Sequence, residues 1–250
     1  MKKFFYMIIL YFLILLIPGC TFNRESKQVA AVRSSENASQ NNQIPVLYED
    51  YKEATAEQIK LIDRELISKT VTEKDVNDIN ISIVEMADDK EYYHSAAETD
   101  NKMYDLGQVS LKNLSDLNTD LVIINTSKFC NLELIRIDGI LGADYPQSSY
   151  YMINKNTPSL FLKLGGHIEE TDIDGDNSNE IIVSIGTPTI TQILKCEGAQ
   201  IKIADVNNIL NNALSVIYEK NYFVAYYKDQ PNKPQYFKYN KIGFKLELEK

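Results

Sequence analysis

The chain has 250 residues, 35 acidic and 26 basic, and a formal net charge of −9. Such acidity repels nucleic acid and anionic lipid headgroups, so neither is an expected partner surface, and it favours cations. With two His, three Cys and no HExxH, CxxC, GxSxG, P-loop or dinucleotide fingerprint, the composition argues against zinc and against the common nucleophilic and nucleotide-binding machineries.

The N-terminus reads as an export signal. Lys2 and Lys3 precede a nearly continuous apolar run from Phe4 to Ile17. That run is shorter than the roughly 20 residues that cross a bilayer. It ends in Ile17-Pro18-Gly19-Cys20, which resembles a bacterial lipobox, with Pro18 where Ala or Ser is usual. The resemblance implies cleavage before Cys20, lipidation of Cys20, and a mature chain anchored to the outer side of a bacterial cell membrane. An ordinary cleaved signal and an uncleaved anchor are the alternatives. Residues 1–19 are thus expected as a signal peptide. Residues 20–45, rich in Ser, Asn, Gln and charge without an apolar period, are expected as a disordered tether.

Residues 46–102 are expected as a mixed helical and strand segment. Thr55-Ala56-Glu57-Gln58 has the form of a capping box, and Ile59, Ile62 and Leu66 follow at helical spacing, which predicts a helix over 55–68. A short helical turn is predicted over 72–78, a strand over 80–86 and a loop over 88–101.

Residues 103–250 read as β repeats. Met103–Val109 aligns with Leu162–Ile168, Asn113–Ile124 with Asp172–Val183, and Leu134–Gly139 with Ile193–Gly198. The offset is about 60 residues, a period typical of blades or stacked sheets. Each unit reads strand, acidic loop, apolar strand, turn, strand. Tyr222–Tyr227, Gln235–Tyr239 and Phe244–Leu248 supply a third, partial unit of aromatic-rich strands. Between the units a helix is predicted over 205–219, with Asp205 as N-cap and Val206, Ile209, Leu210, Ala213 and Ile217 at helical spacing.

The second acidic loop is Asp172-Ile-Asp-Gly-Asp-Asn-Ser-Asn-Glu180, followed by Ile181-Ile-Val183. Oxygen ligands at alternate positions are what a hard divalent cation requires, and Gly175 lets the loop curl its carboxylates inward. A solvated acidic turn is the alternative. It is not an EF-hand, because Val183 stands where the bidentate Glu belongs. The loop resembles the Asp-x-Asp-Gly-Asp-x-x-x-(Asp/Glu)-apolar loop of the FG-GAP/VCBS, integrin-α-like repeats. That resemblance implies one structural Ca²⁺ at a turn between two antiparallel strands. Its ligands would be the side chains of Asp172, Asp174, Asp176 and Glu180 and the Ser178 carbonyl. The first copy, with Asn113, Ser115, Asp116 and Asp120 at these places, lacks two carboxylates, so a single site is expected.

Cys130 and Cys196 remain once Cys20 is assigned to lipid. A disulfide and two buried thiols are both open, and non-equivalent places in the two repeats favour the thiols. Asp138, Glu169 and Glu170 are acids that a hydrolase could use, although their spacing does not distinguish them from surface acids. His167, on an alternating strand five residues before Asp172, reads as structural, and His94 falls in the segment read as a loop.

The expected fold is mainly β, with propeller-like antiparallel repeats and flanking helices. The alternative is α+β with a single calcium hairpin. The repeat resemblance implies a calcium-stabilised binding or scaffolding module with an unidentified protein or glycan ligand, leaning away from catalysis. An extracytoplasmic hydrolase with structural Ca²⁺ is one competing expectation. An envelope chaperone or assembly factor docking through the 55–68 helix is the other.

Overall fold

Five two-residue turns set the architecture. Asn77-Asp78, Asp100-Asn101, Cys130-Asn131, Lys155-Asn156 and Lys220-Asn221 each have both residues at positive φ, between 48° and 67°. Tight type I′ hairpin turns require that conformation, and Asn and Asp tolerate it best. The computed structural model describes residues 43–52, 59–112, 122–142 and 145–247. The expectations for the signal peptide, for Cys20, for the capping box at 55–58 and for the degenerate loop at 113–120 lie outside those residues.

In chain order the strands are β1 Gln43–Ile44, β2 Glu49–Asp50, β3 Lys60–Ile62, β4 Ile67–Val76, β5 Ile79–Met86, β6 Tyr92–Thr99 and β7 Lys102–Leu111. There follow β8 Ile123–Phe129, β9 Leu132–Ile140, β10 Pro146–Asn154, β11 Thr157–Gly165, β12 His167–Thr171 and β13 Glu180–Ile185. The last are β14 Ile190–Glu197, β15 Gln200–Asp205, β16 Ser215–Glu219, β17 Tyr222–Tyr227, β18 Gln230–Asn240 and β19 Gly243–Glu247. A four-residue helix, α1 (Val206–Ile209), lies between β15 and β16.

These strands form four successive antiparallel meanders: β4–β7, β8–β11, β12–β15 and β16–β19. The first two share one nine-stranded sheet, joined by a parallel pairing of Ser110 with Ile140. The N-terminal strands β1 and β2 are added at edges, on β19 and β15, and β3 pairs with part of β7, an interior strand of the nine-stranded sheet. The fold is therefore mainly β, as expected. Met103, where the β repeats were expected to begin, follows the turn of the β6–β7 hairpin, inside the first meander.

Apolar alternation buries each successive pair of meanders. Ile81, Ile83, Tyr104, Ile124, Ile135 and Ile137 fill the core between the first and second. Phe129, Leu134, Tyr150, Leu162, Ile181 and Val183 fill that between the second and third. Ile182, Ile193, Val216, Phe223, Phe237 and Phe244 fill that between the third and fourth. Neighbouring residues of β13 point to opposite cores, which is why Ile181-Ile182-Val183 is a continuous apolar run.

The flanking helices are not found among the described residues. In the described part of 55–68 the chain instead forms β3, a single 3-10 turn at Arg64–Leu66, and the start of β4. Helical spacing of three apolar residues is weaker than backbone pairing of Lys60–Ile62 with Met103–Asp105. The turn expected over 72–78 is the end of β4, and the loop expected over 88–101 contains β6. There Ser95, Ala96 and Ala97, poor strand formers alone, are fully buried in a central strand, where context outweighs propensity. The helix expected over 205–219 stops after α1, because Asn211 and Asn212 take positive φ and Ser215–Glu219 joins a sheet. Its N-cap is as expected: the Asp205 carboxylate accepts from the Asn208 N–H at 3.1 Å.

Candidate metal centre

The acidic loop joins β12 to β13, two antiparallel neighbours that pair from His167–Ser184 to Thr171–Glu180. Gly175 and Asn177 take positive φ (76° and 67°), and the turn brings three carboxylates together. Oxygens of Asp172, Asp174 and Asp176 lie within 4.8 Å of one another. The loop is also braced by its own backbone. Asp172 accepts N–H groups from Gly175 at 2.7 Å, Asn177 at 2.9 Å and Asp176 at 3.1 Å, and Asp176 accepts from Ser178 at 2.7 Å. Burial pushes the Asp172 carboxyl up, but those N–H groups outweigh it and hold it below its ordinary range.

Asp174 behaves oppositely. Burial, then the charge of Asp176, raises it. Its Oδ1 is buried and accepts no hydrogen bond. An orphaned carboxylate oxygen beside two more carboxylates is costly unless a proton or a cation compensates it.

Glu180 is not part of the three-carboxylate cluster. It lies at the start of β13, 2% exposed, and accepts the Ile173 N–H at 3.1 Å. Burial drives its carboxyl up to about 7; the Ile173 N–H opposes this, and the charges of Asp174, Asp176 and Asp172 add to it. Ser178 is exposed. Of the four expected side-chain ligands, then, three are gathered and one is buried alongside. Asp172, Asp174 and Asp176 lie close enough together that their oxygens could hold a hard cation.

Two neighbours were not foreseen. Tyr48 and Tyr239 share a hydroxyl–hydroxyl hydrogen bond of 2.7 Å; burial, then that bond, raises the Tyr48 pKa. The Lys195 ammonium lies 4.6 Å from the centre of the Tyr48 ring, and its charge lowers the Asp174 pKa. The Cys130–Cys196 pair is a disulfide, with Cα atoms 5.2 Å apart, which corrects the expectation of free thiols. Packing of the second meander on the third brings the β8–β9 turn to β14, so non-equivalent repeat positions meet. The disulfide, Asp176, Ser178, Glu180 and Lys195 line one cavity of about 240 Å³.

Of the other candidate acids, Asp138 and Glu170 are paired elsewhere, and Glu169 is exposed on β12. Arg136 pairs with Asp138 at 2.7 Å and with Glu170 at 2.8 Å. Glu170 also accepts from Tyr150 and Ser127, and Asp138 from Ser148. This network clamps β8, β9, β10 and β12 to one another. His94 is bonded at both ring nitrogens: Nδ1 to Asp105 and Nε2 to Asp89, each at 3.0 Å. Burial lowers its pKa, but the two carboxylates outweigh that and raise it. Sequence reading missed these partners because it placed His94 in a loop. His167 is exposed on β12.

Comparison of the chain with protein-family models, curated proteins and solved structures gave no match.

Proposed function

We propose that the chain is a membrane-anchored extracytoplasmic lipoprotein, tethered through Cys20, whose β domain is a calcium-stabilised binding or scaffolding module. The observation that carries the calcium reading is the Asp172, Asp174, Asp176 cluster with its orphaned Asp174 oxygen, set at a turn between paired strands. On this reading Asp172, Asp174, Asp176 and Glu180 hold the ion with the Ser178 carbonyl. Bound Ca²⁺ neutralises their repulsion and fastens the turn. Four stacked four-stranded meanders support a propeller-like repeat array, and the disulfide suits an oxidising compartment outside the membrane. The ligand of the module is a protein or a glycan. With Asp138 and Glu170 held by Arg136, and no helix at 59–68 to serve as a docking face, neither competing expectation gains support.

The test is thermal unfolding of residues 41–250, one compact unit, with Ca²⁺ and with chelator. Near 100 times its Kd, the ion should add about 2.7 kcal/mol, several degrees in Tm. An Asp174→Ala, Asp176→Ala variant should show no shift. Equal Tm with and without Ca²⁺ in the wild type would reduce the loop to a solvated turn. Fractionation of cells expressing the full chain and its Cys20→Ala variant tests the anchor, which predicts release of the variant from the membrane.

A further inference from the structure

A second cavity, of about 340 Å³, opens where the first two meanders part. Among the described residues, strands β7 and β9 pair only at Ser110–Ile140. The volume lies in the range of small-molecule sites. Three register shifts shape its walls. On β7 the pairings Ala96–Asp105 and Ser95–Gly107 leave Leu106 as an extra residue, and Val109 is likewise extra between Gln108 and Ser110. On β11, Phe161 is extra between Leu160 and Leu162. Bulges of this kind re-aim side chains and are common beside binding sites. Here the hydroxyl of Tyr151, which pairs with Leu160, donates to the Leu106 carbonyl at 2.6 Å, tying β10 to one bulge.

The lining divides by chemistry. Leu106, Leu141, Leu160 and Ile59 form an apolar floor. The polar wall is already committed: His94 to Asp89 and Asp105, Gln108 to Asp89 at 2.9 Å, and the Gly107 N–H to Asp105 at 2.8 Å. Lys163 has a partner of its own. Lys60, exposed on β3 across from Asp105, is the one lining charge without an ion pair or hydrogen bond among the described residues.

We propose that this cavity binds a small amphipathic carboxylate, its acidic head at Lys60 and its apolar body against Leu106, Leu141 and Leu160. A cationic ligand would meet Lys60 with no free carboxylate to hold it. A wholly polar one would leave the floor unfilled. The site lies apart from the acidic loop, so its occupancy does not depend on Ca²⁺.

The test is isothermal titration of residues 41–250 with octanoate and with octanol, its neutral counterpart, in parallel with the Lys60→Glu variant. Because Lys60 is exposed, the substitution leaves the core intact. Octanoate should bind the wild type saturably, and Lys60→Glu should weaken it at least tenfold while octanol binding is unchanged. Absence of saturable octanoate binding overturns the proposal. So does a Lys60→Glu protein that binds octanoate as the wild type does. Loss of both ligands in the variant would overturn the assignment of Lys60 to the head group.

Discussion

Removing the Cys130–Cys196 disulfide is the perturbation whose size follows most directly from the structure. The bond spans 66 residues of sequence and joins the β8–β9 turn to β14 across the core between the second and third meanders. In the chain-entropy description, closing a loop of that length removes about 4 kcal/mol of unfolded-state freedom. Cys130→Ser, Cys196→Ser and the double variant should therefore each lose about 4 kcal/mol. The three losses should be nearly equal, since each removes the same bond and the effects are not additive. Guanidinium unfolding of oxidised wild type against the variants measures this, and the m-value should rise in the variants as the unfolded chain expands. Losses below about 1 kcal/mol would refute the entropic reasoning. A double variant that loses twice what either single variant loses would show that the thiols contribute through packing instead.

Three other expectations concern the interior. Arg136→Met should cost about 3 kcal/mol by chemical denaturation, because it leaves Asp138 and the largely buried Glu170 without their cation; pairing it with Glu170→Gln should recover part of that loss. Gly139→Ala should cost about 2 kcal/mol in the same assay, since an added Cβ would lie 2.0 Å from the Val109 carbonyl oxygen where β9 crosses β7. The raised carboxyl of Glu180 makes stability pH-dependent: from its ordinary 4.5 toward about 7 the unfolded chain gives up this proton before the folded one does, so stability should fall as pH rises. Urea midpoints between pH 4.5 and 6.5 should decline in wild type without Ca²⁺ and decline less in Glu180→Gln. A midpoint that rises in the wild type more than in the variant would refute the assignment to Glu180.

The strands with a clear apolar pattern were legible. Asn80–Met86, Tyr222–Tyr227 and the Ile181-Ile182-Val183 run all lie in strands. So was the acidic loop, whose resemblance to a repeat-family loop implies a turn between antiparallel strands, which is where it lies. The missed elements had a signal that periodicity does not carry. Asp100-Asn101, like Asn77-Asp78, is a pair suited to left-handed backbone and could have shown a hairpin in place of a loop. The repeat offset also misled in part. It matches the loop before β8, the first strand of its meander, with a loop before β13, the second of its own.

Composition, the two-residue turn pairs and the carboxylate spacing act through local chemistry, and those features the sequence determined by itself: a mainly β chain with an acidic turn rich in oxygen donors. Which strands pair across meanders, that Cys130 meets Cys196, that Arg136 captures Asp138 and Glu170, and that Lys60 faces an apolar cavity were decided only by the tertiary structure. Those contacts join residues far apart in the chain, and the packing of one sheet face on the next, which no local pattern encodes, selects them.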